Sequence, residues 1–295
     1  MDIEKLFKKS EILAPYTTWN IGGEAELFWA PEYEKLTEVL SYCERFGIPV
    51  TFLGRGSNTL ISSDGIKGLV ICTKRALLDI KLDNQGYIIA QAGVPMPKLS
   101  KFASNMGWGG YEYLIGIPGT VGAGIAINAG LTAKGRKEIG DVLLDVKVMN
   151  NKGESWWENS DELDLGYRSS NIEKRGLFII EARFKPTYKT SKEEIKHFTA
   201  EHLAERRRKQ PLSKQTAGST FKQPDGGRPA GWYIDKTKLK GYKIGNAKIS
   251  EKHANWIENT GGASDKDVLN LISYVQKEVK IKFNVDLIPE VKYLK

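Results

Sequence analysis

The sequence predicts an α+β protein in two parts, and three observations carry that prediction. Short apolar runs of strand length recur through the first two-thirds of the chain. Amphipathic stretches of helical period lie among them. A long stretch near the end, 264–283, repeats its apolar residues at helical spacing behind a serine and an aspartate three apart. Such a mixture of strands and helices argues for α+β.

In chain order, residues 31–46 read as a helix, because Leu36, Val39, Leu40, Cys43 and Phe46 share one face and Gly47 ends it. Leu27-Phe28-Trp29 and Val50-Thr51-Phe52-Leu53 read as flanking strands. Strands follow at 68–72 and 87–92, then a short helix carrying Leu99, Phe102, Ala103 and Met106. The small residues from Ala123 to Ala129 permit close packing or close approach of a ligand. Residues 142–150, with Leu143, Val146 and Val148, and 177–184, with Leu177, Ile179 and Ile180, alternate as strands, and Pro186 ends this block. A charged amphipathic helix is expected over 191–209 with Ile195, Phe198, His202 and Leu203 inward. In the last helix, Ser264 and Asp267 form an N-cap pair, and Val268, Leu271, Ile272, Val275 and Val279 supply the buried face. A domain boundary is expected near 186–192, giving residues 1–188, themselves split near 75, and residues 189–295.

Composition narrows the function. The chain has 295 residues, 40% of them hydrophobic, which suffices for a sizeable core. No apolar run approaches the ~20 residues of a membrane span. The start, Met1-Asp2-Ile3-Glu4-Lys5, is followed by no apolar leader segment, so the cytoplasm is expected. Cys43 and Cys72 read as small buried hydrophobes rather than a disulfide pair. Three scattered histidines and two cysteines lack metal-ligand spacing, so no metal is expected. A net charge of +8 favours polyanionic ligands, but the basic residues are spread out, so nucleic acid is not the expected partner. The one dense run, Arg206-Arg207-Arg208-Lys209, reads either as a solvated helix C-terminus or as a contact for a diphosphate.

Two glycine loops stand out. Gly54-Arg55-Gly56-Ser57-Asn58-Thr59-Leu60 follows a strand directly, and Gly116-Ile117-Pro118-Gly119-Thr120-Val121-Gly122-Ala123-Gly124 follows later. Glycine is costly in regular structure and serves where backbone bends sharply or meets a ligand. Successive N–H groups in such bends form nests for phosphate oxygens, and two nests roughly 60 residues apart suggest a dinucleotide. The first loop opens no helix with Gly-x-Gly-x-x-Gly, and no Gly-Lys-Ser/Thr ending is present, so neither the Rossmann fingerprint nor a P-loop applies.

The motifs in order resemble those of the UDP-N-acetylenolpyruvoylglucosamine reductase (MurB) family. The resemblance runs through Thr18-Trp19-Asn20-Ile21-Gly22-Gly23, the two glycine loops, Asn128-Ala129-Gly130 and Tyr167-Arg168-Ser169-Ser170. It continues in Ala217-Gly218-Ser219-Thr220-Phe221-Lys222, Leu239-Lys240-Gly241, Ser250-Glu251-Lys252-His253-Ala254-Asn255 and Pro289-Glu290-Val291. It implies an FAD-binding domain of the vanillyl-alcohol-oxidase (PCMH) type in residues 1–188 and a smaller α+β substrate domain in 189–295, with the tail returning to the active site. It implies non-covalent FAD, held by Gly54, Arg55, Gly56, Ser57, Asn58, Thr59, Gly116, Ile117, Pro118, Gly119, Thr120, Gly122, Ala123 and Asn128. NADPH is implied as the reductant and a UDP-sugar as the substrate, on a protein expected to be a monomer.

The resemblance also implies the catalytic roles. Hydride delivered to the β-carbon of an enolpyruvyl ether leaves negative charge on the α-carbon and its carboxylate. Arg168 is implied as the electrostatic stabiliser, Ser219 as the proton donor and Glu290 as their neighbour in the site. Read without the resemblance, Arg168 is a structural ion pair, Ser219 a turn or cap serine and Glu290 a solvated tail carboxylate. Tyr167, Lys209, Gly218, Lys222, Gln223 and His253 are implied around the substrate, while His253 also reads as a core histidine bonded to backbone. Gln223 stands where many relatives carry Asn or Arg, and Lys238 and Asn246 stand where glycine is common. The short path from 184 to the next helix, and the short Pro224–Pro229 turn, resemble the shorter form of the family, which lacks a tyrosine-bearing loop over the substrate. The alternatives are another flavin-dependent oxidoreductase of the same fold and a non-catalytic flavin- or UDP-sugar-binding protein.

Overall fold

A computed structural model describes residues 3–131 and 137–295. Met1 and Asp2, the first letters of the expected leaderless start, lie outside the described residues. Strands and helices are mixed throughout, as the α+β expectation requires.

The chain groups into two compact units that are not consecutive in sequence. Met1–Lys9, Leu27–Arg55 and Gly68–Glu205 form the first, and Ser10–Glu26, Gly56–Lys67 and Arg206–Lys295 the second. A single cut at 188/189 would make them consecutive. The grouping instead passes at Glu205/Arg206, near the end of the helix Lys192–Lys209, and gives the second unit two early segments.

In the first unit a five-stranded antiparallel sheet runs in the order Ser155–Asn159, Leu143–Met149, Phe178–Phe184, Ile88–Gln91, Ile80–Leu82. Its buried Ile88, Ala90, Val146, Val148 and Phe184 pack with Leu99 and Ala103 of the helix Met96–Ser104 and with Val121 and Ile125 of the helix Val121–Ala126. A second cluster gathers Leu36, Val39, Leu40 and Cys43 of the expected face around Leu69 and Ile71, whereas Phe46 follows the helix Leu36–Arg45 and is 58% exposed. There Val50–Leu53 runs parallel to the other strand, with Val50 opposite Leu69 and Leu53 opposite Cys72. Gly47, at φ +63°, follows that helix without steric cost. Both cysteines are buried, and neither forms a disulfide.

In the second unit the helix Asp265–Phe283 packs with the antiparallel strands Lys243–Ile244, Ala247–Ile249 and Ile257–Asn259. Its five expected apolar residues are all buried. The cap is reciprocal: Ser264 Oγ accepts from Asp267 N–H at 3.1 Å, and Asp267 Oδ2 accepts from Ser264 N–H at 3.1 Å. Trp19, fully buried, shares this core. It donates Nε1–H to Ile257 O at 2.8 Å, and Asn259 Nδ2 donates back to Trp19 O at 2.8 Å. The early segments join this unit because Trp19 finds both its apolar socket and its hydrogen-bond partner there.

The helix Lys192–Lys209 departs from expectation. Of Ile195, Phe198, His202 and Leu203, only Ile195 is buried, and Phe198 is 36% exposed. Its residues are too polar on every side to define one inward stripe.

Candidate active site

Gly54, the first residue of the first glycine loop, meets the second glycine loop in the first unit. A Cβ built on Gly54 would stand 2.8 Å from Thr120 Oγ1 and 3.5 Å from Ala123 Cβ. Thr120 caps the helix Val121–Ala126 by accepting from Ala123 N–H, and Met96 N–H donates to Gly119 O at 3.0 Å. Positions 66 apart in sequence, Gly54 and Thr120, thus come together. Gly122 and Gly124 have a packing reason. A Cβ at Gly122 would fall 2.8 Å from Ala92 Cβ, and one at Gly124 2.8 Å from Met96 Sδ. Close packing is one thing these two glycines allow.

Beside Gly54 the charge is positive. The Lys74 ammonium is held below its ordinary value first by burial and then, against a contribution from Cys72, by Arg75 and Arg55. Lys74 and Arg75 carry no motif, and only the fold gathers them with Arg55.

Arg168 sits in the left-handed region at φ +52°. It donates Nη2–H to Gly130 O at 2.6 Å, and its guanidinium carbon lies 5.2 Å from the centre of the Tyr167 ring. Gly166 and Ser169 bond each other across this turn, Gly166 N–H to Ser169 O at 3.1 Å and Ser169 N–H to Gly166 O at 3.3 Å. Asn128, buried at φ +44°, donates Nδ2 to Glu138 Oε2 at 2.8 Å and to Gly166 O at 3.1 Å, and accepts Gly140 N–H at 3.1 Å. Its amide therefore braces the turn that presents Arg168.

Ser219 and Glu290 come together in the second unit. Gly218, at φ +78° with open space where a Cβ would be, turns the chain into Ser219, which bridges Trp256. Thr220 N–H donates to Asn255 O, and Glu290 N–H donates to Thr220 O, both at 2.8 Å. Asn255 completes the hold through its side chain, accepting Phe221 N–H at 3.0 Å and donating to Phe221 O at 2.9 Å. Phe221 bridges Pro289, and Lys222 N–H donates to Ile288 O at 2.9 Å. The tail folds back onto the serine segment.

A cationic group lies in the same unit. Burial pushes the Arg206 guanidinium down to about 10, whereas Arg207, Arg208 and Lys209 are exposed. Lys252 Nζ takes the carbonyl of Arg207 at 2.6 Å. The His253 imidazole is held below its ordinary value first by burial, then by Lys240, Arg206 and Lys209, and its Nδ1 accepts Asn255 N–H at 3.3 Å. Its ring lies 6.0 Å from that of Trp256. Among the described residues, Arg206 Nε and Trp256 Nε1 are buried without a hydrogen-bond partner. Buried donors and cations of this kind suit an anionic, hydrogen-bond-accepting ligand. Trp256 carries no motif signal. Gln223 Nε2 donates to Gly227 O at 3.1 Å within its own turn.

No described helix is long and apolar enough to cross a membrane. Among the described residues no group of three His, Cys, Asp or Glu side chains could hold a metal ion.

Comparison with known proteins agrees with this geometry. Residues 26–157 match the FAD binding domain family, and residues 210–294 match the UDP-N-acetylenolpyruvoylglucosamine reductase C-terminal domain family. A UDP-N-acetylenolpyruvoylglucosamine reductase of Synechococcus sp. (strain JA-3-3Ab) is 40% identical over 283 residues, covering 96% of this chain and 89% of that protein. The protein of that name from Agathobacter rectalis is 39% identical over 297 residues, covering 97% and 93%. The crystal structure of UDP-N-acetylenolpyruvylglucosamine reductase (MurB) from Thermus caldophilus superposes with a TM-score of 0.82 at 33% identity, covering 98% of this chain and 100% of that one.

Proposed function

This chain belongs to the UDP-N-acetylenolpyruvoylglucosamine reductase family, and from that premise we propose how its own residues divide the work. The reaction is the NADPH-driven, FAD-dependent reduction of the enolpyruvyl double bond of UDP-N-acetylglucosamine enolpyruvate to UDP-N-acetylmuramate, a step of peptidoglycan precursor synthesis. The fold is an α+β arrangement of a PCMH-type FAD-binding domain followed by the reductase's own C-terminal domain.

The residues present fit the cofactor in the first unit, where Gly54 meets Thr120 so closely that only bare backbone fits between them. Gly54, Arg55, Gly56, Ser57, Asn58 and Thr59 would hold FAD together with Gly116, Ile117, Pro118, Gly119, Thr120, Gly122 and Ala123. Asn128 contributes by bracing its turn. FAD held there would supply hydride chemistry for the β-carbon of the substrate. Arg168 offsets the charge that builds on the α-carbon and carboxylate, a role typically worth ~3–4 kcal/mol of transition-state energy. Ser219 donates the proton to the α-carbon. A hydroxyl is a weak acid, but a carbanion-like carbon is a far stronger base, so the transfer runs downhill. Glu290 stands with Ser219 and orients that proton. Arg206, Lys209 and His253 hold the diphosphate, with Tyr167, Gly218, Lys222 and Gln223 around the rest of the substrate.

The observation that supports this reading is the bond from Glu290 N–H to Thr220 O, which joins the tail carboxylate's residue to the one after Ser219. The reading carries with it a cytoplasmic monomer of the shorter form that acts on small molecules rather than nucleic acid. In sequence this reading divides the chain into an FAD-binding part, 1–188, and a substrate part, 189–295, with Ser10–Glu26 and Gly56–Lys67 grouped with the latter's compact unit. The test is purified protein. It is expected to be yellow, to release its flavin on acid precipitation and to turn over NADPH when the enolpyruvyl substrate is added. Colourless protein that takes up no FAD overturns it, and sedimentation as a dimer removes the monomer.

A further inference from the structure

Glu290 is gripped through its backbone from two sides. Its N–H donates to Thr220 O at 2.8 Å, and its C=O accepts Asn58 Nδ2 at 3.1 Å. Asn58 then takes a second hold two residues on, where Lys292 N–H donates to Asn58 O at 3.0 Å. From there Lys292–Leu294 pairs in parallel with Thr59–Ile61, and Ser62 N–H donates to Leu294 O at 2.8 Å. All of these residues belong to the second unit.

Two short parallel strands are weak on their own, and terminal segments fray unless tied down. The tie at the start of this ladder is a side chain, not another strand. Asn58 is suited to it because one amide side chain and its own carbonyl reach residues 290 and 292 of the same extended segment. The Glu290 carboxylate can be no better placed than its backbone, and an error of about 1 Å in a reacting group costs on the order of 100-fold in rate.

We infer that Asn58 is a positioning residue for Glu290: through the tail backbone, the first glycine loop sets where the carboxylate stands. This rests on the proposed role of Glu290. It assigns to Asn58 a task distinct from contact with the cofactor.

The experiment uses the holoenzyme and reads its two half-reactions separately by stopped flow, with flavin per polypeptide measured by absorbance. The variants are Asn58→Asp, which keeps the size but removes the amide donor, and Lys292→Pro, which removes the returning N–H and leaves the Asn58 side chain intact. Glu290→Gln and the double variant Asn58→Asp/Glu290→Gln complete the set. Lys292→Pro is expected to keep its flavin and the flavin's reduction by NADPH while substrate reduction slows about 100-fold, and Asn58→Asp is expected to slow substrate reduction by at least as much beyond any change in its flavin half-reaction. The double variant is expected to be no slower than Glu290→Gln alone, because both changes disable one device. A native rate of substrate reduction in Lys292→Pro overturns the proposal, and so do rate losses that multiply in the double variant. Equal loss in both half-reactions of Asn58→Asp, with loss of flavin, assigns Asn58 to the cofactor alone if Lys292→Pro is also native. A normal Glu290→Gln would show instead that the Glu290 role has failed, and the positioning role with it.

Discussion

Gly54 and Thr120 touch so closely that a methyl group at position 54 would stand 2.8 Å from Thr120 Oγ1. The hydroxyl it would strike is the one that accepts from Ala123 N–H and caps the following helix. Gly54→Ala therefore forces the two loops apart, at an overpacking cost of about 1–3 kcal/mol. The expected result is a folded protein with a lowered flavin-to-protein absorbance ratio. A native ratio would mean that the contact is not what shapes the cradle.

Ser219→Ala and Arg168→Ala act on the same half of the cycle. In both, flavin reduction by NADPH proceeds at the native rate. Substrate reduction falls about 100- to 10,000-fold without the proton donor, and about 100- to 1,000-fold without the guanidinium. Arg168→Lys restores little, because a point charge does not reproduce the fork. Stopped-flow traces with an unchanged second phase would return Ser219 to a turn and Arg168 to a brace for Gly130.

Asp265 gives the second unit its sensitivity to acid. Burial acts first and raises its carboxyl, but the Ser63 and Tyr293 hydroxyls and backbone N–H groups outweigh it and hold it below its ordinary 3.8. Ser63 donates at 2.6 Å and Tyr293 at 2.8 Å. With a depressed native value, the stabilisation is complete above the ordinary value and is lost as pH falls through the native one. Ser63→Ala removes a donor, so acid unfolding followed by circular dichroism is expected to begin at higher pH. Coincident titrations of variant and native protein would contradict this.

Lys238 holds a left-handed conformation at φ +61°, which glycine adopts without the Cβ clash a lysine meets. Lys238→Gly relieves the steric cost and gives back part of it as backbone entropy. A stabilisation of about 0.5–1 kcal/mol is expected in urea unfolding, and a destabilised variant would show that the lysine side chain contributes more than its backbone costs.

How much could be read in advance depended on how far apart the partners lie in the chain. The helix Asp265–Phe283 was legible because its cap and its five-residue stripe are local signals. So were the strands Leu143–Met149 and Phe178–Phe184, through their alternation, although not their pairing. The inward face of Lys192–Lys209 was not, since Phe198 and Leu203 sit among charges that blur its period. In the site, Arg168, Ser219 and Glu290 were legible only through the family motifs, because any of them taken singly reads as an ordinary polar residue. The grip of Asn58 on Glu290 had no signal at all: it joins residues 232 apart through an amide and a backbone carbonyl.

The hydrogen bond from Trp19 to Ile257 spans 238 positions, and this has a consequence at the ribosome. A chain made at roughly 5–20 residues per second leaves that indole without its socket for on the order of ten seconds or more. During that interval Ser10–Glu26 and Gly56–Lys67 must wait as unfinished apolar segments while the material between them collapses. A chaperone that shields nascent tryptophan has its natural client in those first two dozen residues, and slowing translation late in the message should lower the yield of soluble protein more than slowing it early.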